Sequence, residues 1–338
     1  MDNVTHSLVG LMMAQSGIDR KVAQAAPLMI IAANIPDIDV VSLIRGPLNY
    51  LEWHRSYTHT LAFAPLMALI PPLILLYRVR ISGWAYVFSL LGVLSHLVLD
   101  WTNVYGIRML LPFSARWLRL DITDVVDPWI LLTLILAVGA PWFVKLISSE
   151  IASKTSPGPK RGWAWFALLV LLGYEAGRFT AHERALGVMG AHLYNPTDTG
   201  TDNSDGTVAR RLTAIPSRGN PWRWRGVVEG DGFVSIVPVD LTADFDPRAG
   251  RVSYPAPESP VIEAAQRTFA FQVFGRFNQL PFWKTTRVAD GTLVELIDLR
   301  FGTPEHPGFE ARGVVNAGGE LRNPSFTFGA EAAAPSSN

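Results

Sequence analysis

The sequence predicts an α-helical polytopic membrane domain followed by a small, mostly antiparallel β domain. Two observations carry the first half of that statement. Of the 338 residues, 49% are hydrophobic and only 17% are charged, against about 25% charged in an ordinary globular chain. The depletion is local: it falls in residues 22–44, 60–77, 83–100, 129–147 and 163–177. The last four of these approach the ~20 apolar residues that a helix needs to cross a bilayer. A third observation carries the second half. Beyond Arg178 the long runs give way to short alternating ones with Asp-Gly and Gly-Gly pairs between them, the pattern of antiparallel strands and hairpins.

The elements follow in order. Residues 1–180 form the membrane-embedded helical domain. Its start, MDNVTHSLVGLMMAQSG, has an acid and a histidine where a secretory signal carries basic residues, so it reads as mature sequence. Residues 22–36 are short for a full span, and 3–16 with 22–36 form a half-buried hairpin in one reading; that hairpin would bring His6 and Asp37 to one face. Residues 181–207, with the polar stretch NPTDTGTDNSDGT, read as a linker. Residues 208–329 read as a soluble β-rich domain, with strands expected in RWRGVVEG, GFVSIVPVDL, TFAFQVFGRF, FWKTTRVADGTLVELIDLRFG and FEARGVVNAGGEL. Residues 330–338 read as a disordered tail.

Lysine and arginine in the short connections set the orientation. Arg20 and Lys21 precede the first run, Arg78 and Arg80 fill the turn after the second, and Lys145, Lys154, Lys160 and Arg161 lie between the fourth and fifth. With those turns cytoplasmic, His6, Asp37, Asp39, His54, His59, His96, Asp100, the loop 101–128 and the β domain all fall on the outer side; Arg45, Arg108, Arg116 and Arg119 there weaken the bias. Four of the 7 histidines lie in the first hundred residues, at predicted helix ends and beside aspartates.

That set is the candidate for chemistry. In SHLVLDW, His96 and Asp100 are four apart, about 40° of helical rotation, so both can grip one ion; the plain alternative is a helix-end His–Asp hydrogen bond. In NIPDIDV, Pro36 tends to break the helix. Asp37 and Asp39 are then caps, or one of them, Asp37 the better placed, is a carboxylate bridging two metals. In HRSYTHT, His54 and His59 are five apart, about 140° on a helix, so His54 belongs to the approach and His59 to the first turn. Arg55 is a natural fork for a phosphate or carboxylate oxygen, unless it only snorkels to headgroups. His6 by itself is more simply structural. Asp127 before Pro128 either orients a water or opens a helix. Neutral imidazole with carboxylate suits zinc, and also manganese or iron. His182, His192 and His306 are scattered and read as surface residues.

Other classes find no support. Net charge is +0 and cysteine is absent, which speaks against direct nucleic-acid binding, thiol catalysis and Cys-based zinc sites. There is no HExxH, no Walker-type phosphate loop and no GxSxG elbow.

Across THSLVG, NIPDID, HRSYTHT, SHLVLDWTNVYG, LPFSARW and DITDVVDPW, the first 180 residues resemble the membrane-bound metal-dependent hydrolase family, described as LexA-binding, inner-membrane-associated hydrolases. NPWRWRGVV at 220–228 resembles that family's downstream part. The family is distantly similar to zinc-dependent phospholipase C and single-strand nucleases. The resemblance implies His6, Asp37, His59, His96 and Asp100 as ligands, with His54 a sixth, and a bacterial inner membrane as location. The chain has only the His96/Asp100 pair where the soluble enzymes have two, and two ions, zinc in the first place, are expected. The implied activity is cleavage of a phosphoester in a lipid or membrane-associated substrate by a metal-activated water, with Arg55 and Asp127 catalytic and the site on the periplasmic side. The alternative is a non-catalytic metal-binding membrane scaffold or a transport component.

Overall fold

A computed structural model describes residues 1–150, 160–194 and 208–328. The tail from 330 and residues 195–207 of the expected linker lie outside the described residues; residues 181–190, also expected as linker, continue a helix instead. The chain divides into two compact units: Met1–Val40, Arg55–His182 and Pro216–Pro221 form the first, and Val41–His54, Glu183–Ile215 and Trp222–Asn338 the second. Two stretches therefore cross the boundary read from composition, 41–54 into the second unit and 216–221 into the first.

The first unit is helical. Helix α1 (Asn3–Gln15) is capped by Asp2, whose carboxylate accepts from the amides of Val4 and Thr5, and it pairs with α2 (Ala25–Asn34). The chain then tightens into a 3-10 helix, Ile35–Arg45. Among the described residues, two helices are long and apolar enough to cross a membrane: Ala25–Arg45, counting that extension, and α6 (Gly83–Thr102). Small residues let these helices approach closely. A Cβ on Gly10 would meet the Met29 carbonyl at 2.6 Å, and one on Gly92 would meet the Ala32 Cβ at 2.7 Å. This is how membrane helices pack where lipid gives no hydrophobic drive between them. Ala32 faces Gly92, while the Ala33 carbonyl meets His96 and Asp37 reaches His96. Residue numbers rise together, so α2 and α6 run parallel, and the end of α2 lies beside His96 in the last turns of α6.

One expected span is corrected. Residues 60–77 are not one helix; they fold as two short pieces, α4 (Ala64–Met67) and α5 (Ile70–Ile74), after a 3-10 turn at Tyr57–His59. Pro65, Pro71 and Pro72 remove backbone donors and break the helix. Helices α7 (Pro128–Glu150) and α8 (Lys160–Gly190) complete the unit, and part of α7, Pro128–Val144, is apolar but short for a span. Val9 and Met12 of α1 pack with Leu99, with Ile130 and Leu134 of α7, and with Ala164 and Ala167 of α8.

The second unit holds α3 (Pro47–Trp53) and two four-stranded sheets, ordered β1-β2-β3-β4 and β5-β6-β7-β8. The strands are Arg211–Pro216, Arg223–Glu229, Val234–Asp240, Arg251–Ser253, Pro281–Val288, Gly291–Asp298, Phe309–Val315 and Leu321–Phe328. The β5–β6 hairpin closes on Ala289-Asp290, with Val288 opposite Gly291. The predicted strand in TFAFQVFGRF is wrong: Phe269–Phe277 is helix α10, after α9 (Pro260–Gln266). Its buried Phe271, Phe274 and Phe277 recur every third residue, a helical face rather than a strand's alternation.

Candidate metal centre

The site lies in the first unit, where the two parallel helices end. His96 and Asp100 project from α6, Asp37 and Asp39 from the 3-10 extension, His59 from the turn 57–59 and His6 from α1. His6, His59, His96 and Asp100 have no measurable solvent exposure, while the Asp37 side chain keeps 14%.

Hydrogen bonds fix the imidazoles. His96 Nδ1 donates to the Ala33 carbonyl at 2.7 Å, and a carbonyl only accepts, so the lone pair of the neutral ring is left on Nε2. His59 Nδ1 lies 3.0 Å from Thr58 Oγ1 and 3.5 Å from Asp39 Oδ2. Thr58 Oγ1 directs its own proton to Asp39 Oδ2 and so accepts from His59 Nδ1, which leaves the His59 lone pair on Nε2 as well. The two Nε2 atoms face each other 3.1 Å apart. Two lone pairs at that distance repel unless a cation sits between them.

The carboxylates complete the figure. Asp37 Oδ1 is 3.3 Å from His59 Nε2 and 3.6 Å from His96 Nε2. Asp100 Oδ2 is 3.5 and 3.4 Å from the same two atoms. Four ligand atoms, all within 4.8 Å of one another, thus have five of their six separations between 3.1 and 3.6 Å. Tetrahedral ligands at zinc distances of about 2.0–2.1 Å stand about 3.3 Å apart. Asp100 Oδ2 and both ring nitrogens of His6 are buried without a hydrogen-bond partner, a costly state that a metal relieves. The residues fit a divalent ion.

His6 stands beside this group. Its ring stacks on His96 with centroids 3.8 Å apart, and its Nε2 is 3.5 Å from Asp100 Oδ1. That oxygen also receives Arg55 Nη2 at 3.0 Å, Asn103 Nδ2 at 3.2 Å and the Met1 amino group. His54 is left out of the four-ligand group; it caps α3 in the second unit, its ring stacked on Tyr50.

Two expected catalytic residues have other work. Arg55 is buried, with Nη1 on Asn103 Oδ1 and the Gly106 carbonyl and its guanidinium over the Tyr105 ring at 4.3 Å. It holds Asp100 and the following loop in place rather than presenting a free fork. Its φ of 53° is left-handed, a conformation that costs a non-glycine residue about 1–3 kcal/mol and clusters at functional sites; the Arg55 amide donates to Asp39 Oδ2 at 2.9 Å. Asp127 caps α7, with Oδ1 accepting from the Trp129 and Ile130 amides and Oδ2 from the Tyr174 hydroxyl. His182, expected at the surface, is buried.

The sequence reading missed Asn103 and Thr58 and, while preferring Asp37 as the ligand, gave Asp39 no duty beside His59. The signal for Asn103 was its place three residues after Asp100, within reach on the next turn.

Fold and site together define a membrane protein with apolar helices, a buried His/Asp cluster able to hold a metal ion, and a β-rich C-terminal part. The model of the YdjM inner membrane protein family matches residues 1–185, and the chain belongs to that family. It is also similar to a Bacillus subtilis (strain 168) protein described as uncharacterized protein YfhP, 24% identical over 332 residues, covering 95% of this chain and 92% of the relative. No solved structure matches.

Proposed function

We propose that this chain is a multi-pass membrane-bound metal-dependent hydrolase that cleaves a phosphoester in a lipid or membrane-associated substrate. The observation that carries the reading is the pair of Nε2 lone pairs held 3.1 Å apart, with Asp37 and Asp100 closing the set. An ion there, zinc first and manganese or iron next, supplies an activated water near neutral pH and charge neutralisation for a phosphoryl group. Asp37, His59, His96 and Asp100 hold it. Thr58 and Asp39 orient His59, the Ala33 carbonyl orients His96, and Arg55 with Asn103 fixes the far oxygen of Asp100. Asp37, the ligand with exposure, marks the side from which substrate arrives.

One ion is the count the geometry supports. A second would draw on His6 and Asp100 Oδ1, and that oxygen is already taken by Arg55 and Asn103. The parallel run of α2 and α6 puts Arg20, Lys21, Arg78 and Arg80, which precede the two helices, on one side and the site at the other; with the basic side cytoplasmic, the site is periplasmic.

A non-catalytic metal scaffold is favoured by one observation: four protein ligands close a tetrahedron, the habit of structural zinc, whereas catalytic sites keep a position open. Hydrolysis therefore requires an ion that takes a fifth ligand. Elemental mass spectrometry on detergent-purified protein separates the readings. One equivalent of metal, lost in His59→Ala and His96→Ala, together with metal-dependent cleavage of a phosphoester panel, is expected. Bound metal without cleavage supports the scaffold, and no metal after reconstitution with each ion overturns both.

A further inference from the structure

The loop after α6 folds back along the helix it has just left. Ile107 and Leu118 exchange backbone hydrogen bonds of 2.9 and 2.8 Å, closing a ten-residue excursion, RMLLPFSARW, at 108–117. Gly106, at φ 74°, makes this stem possible, since a Cβ there would meet the Leu118 carbonyl at 2.8 Å.

The excursion does not point away from the membrane. Ile107 is buried in one cluster with Val93 and Leu97 of α6, and Met109 packs against the same cluster. The Met109 carbonyl accepts from the Leu61 amide at 3.0 Å. Leu97 lies five residues before the end of α6 at Thr102, which is about 7–8 Å back along the helix axis. The tip beyond Met109 is apolar and partly uncovered: Phe113 is 89% exposed and Leu110 is exposed, with Leu111 buried between them, and Leu61, bonded to Met109, is exposed too. The outer side of the same helix shows exposed Trp84, Val87, Leu91 and Val98, the surface that a spanning helix gives to lipid. Arg116, three residues after Phe113, is exposed and suits an anionic headgroup.

We propose that the 108–117 loop is a re-entrant membrane anchor whose Leu110–Phe113 tip sits at the headgroup–acyl boundary. Its stem is tied to the metal centre, because Arg55 bonds Asp100, Asn103 and the Gly106 carbonyl together. The anchor thus sets the site at lipid depth and makes a bilayer phospholipid, entering from the side, the substrate class. This last step rests on the hydrolase reading; the immersion of the loop does not.

The chain has no cysteine, so one introduced thiol takes a nitroxide label uniquely. Full-length Phe113→Cys and, separately, Ala115→Cys are labelled and reconstituted in phosphatidylglycerol/phosphatidylethanolamine vesicles, with Asp290→Cys at the β5–β6 turn as the aqueous reference. Collision with oxygen exceeding collision with a water-soluble nickel chelate at 113 and 115, and the reverse at 290, is expected. Nickel accessibility at 113 and 115 equal to that at 290 overturns the proposal. In parallel, Phe113→Asp with Leu110→Asp is expected to lower the ratio of vesicle-lipid to soluble-phosphoester turnover about tenfold, since a charge at that depth is costly. An unchanged ratio overturns the substrate assignment. Immersed labels in a protein that cleaves neither substrate sustain the anchor and refute the hydrolase.

Discussion

Asp39→Asn tests whether the centre is organised as the geometry implies. Asp39 is not one of the four ligand atoms, yet its Oδ2 accepts from the Arg55 amide at 2.9 Å and lies 3.5 Å from both Thr58 Oγ1 and His59 Nδ1. Those contacts hold the proton of His59 on Nδ1 and the lone pair on Nε2. Asparagine keeps the shape, removes the charge and offers an N–H in place of a pure acceptor. Thr58 can then turn its hydroxyl toward His59 Nδ1, which moves the ring proton to Nε2 and blocks the ligand. Partners of this kind are worth about 10–100-fold in metal affinity, or about 1.4–2.7 kcal/mol. The assay is competition for zinc between chelator-stripped full-length protein in detergent and a fluorescent chelator. Asp124→Asn serves as control, since its partner is the exposed Arg218. A dissociation constant for Asp39→Asn within about twofold of wild type, where the control also lies, would refute the tautomer argument, because loss of the Nδ1 acceptor should cost at least about tenfold.

Three further outcomes are expected. Gly92→Val drives a Cβ into Ala32 and should cost about 1–3 kcal/mol by overpacking, read as a lower thermal midpoint in detergent with weakened zinc binding, since α6 and the 3-10 extension of α2 carry the proposed ligands. In the second unit, Arg300→Met leaves Asp298 buried without the partner that bonds it at 2.5 and 3.0 Å; breaking such a pair costs about 3–5 kcal/mol, and guanidinium unfolding should show most of it restored in the Arg300→Met, Asp298→Leu double variant. Burial first, and then the neighbouring Glu295, raises the Glu310 pKa above its ordinary 4.5. A raised carboxyl binds its proton more tightly folded than unfolded, so this contribution is full below about 4.5 and is lost as pH rises through the folded value. Glu310→Gln should flatten that decline in urea midpoints, and an unchanged slope would count against it.

What the sequence displayed, and what it hid, divides along physical lines. His96 and Asp100 were legible because four residues on a helix always share a face. HRSYTHT was legible because histidine beside an apolar run is expensive without a purpose. Asp37 was preferred as the metal-facing carboxylate, but the duty of Asp39 was not legible. In a 3-10 helix, at about three residues per turn, two positions apart point in different directions, and only the fold shows which joins His59 and His96 at Nε2 and which turns to Thr58. The contacts of Arg55 were hidden, since Asn103 and Gly106 lie about fifty residues away. Residues 60–77 misled because hydropathy outweighed three prolines, and TFAFQVFGRF misled because Phe269, Phe271 and Val273 also alternate like a strand.

Electrostatics gives an independent reason to place a cation here. Asp100 is two residues before the end of α6, and Asp37 lies just beyond the end of α2 at Asn34. Helix C-termini carry partial negative charge, so carboxylates are disfavoured there. Against the carboxylates of Asp37, Asp39 and Asp100 stand the buried Arg55 guanidinium and the Met1 amino group, both on Asp100 Oδ1, which leaves an excess of negative charge in a poorly solvated pocket. Uncompensated buried charge on that scale is not sustained; groups pair, change protonation or bind metal. The neutral histidines, each bonded to an acceptor through Nδ1, offer electron pairs instead of protons. A divalent cation answers both the charge and the facing lone pairs, whereas protonating His59 and His96 would answer the charge alone and set two N–H groups against each other at 3.1 Å.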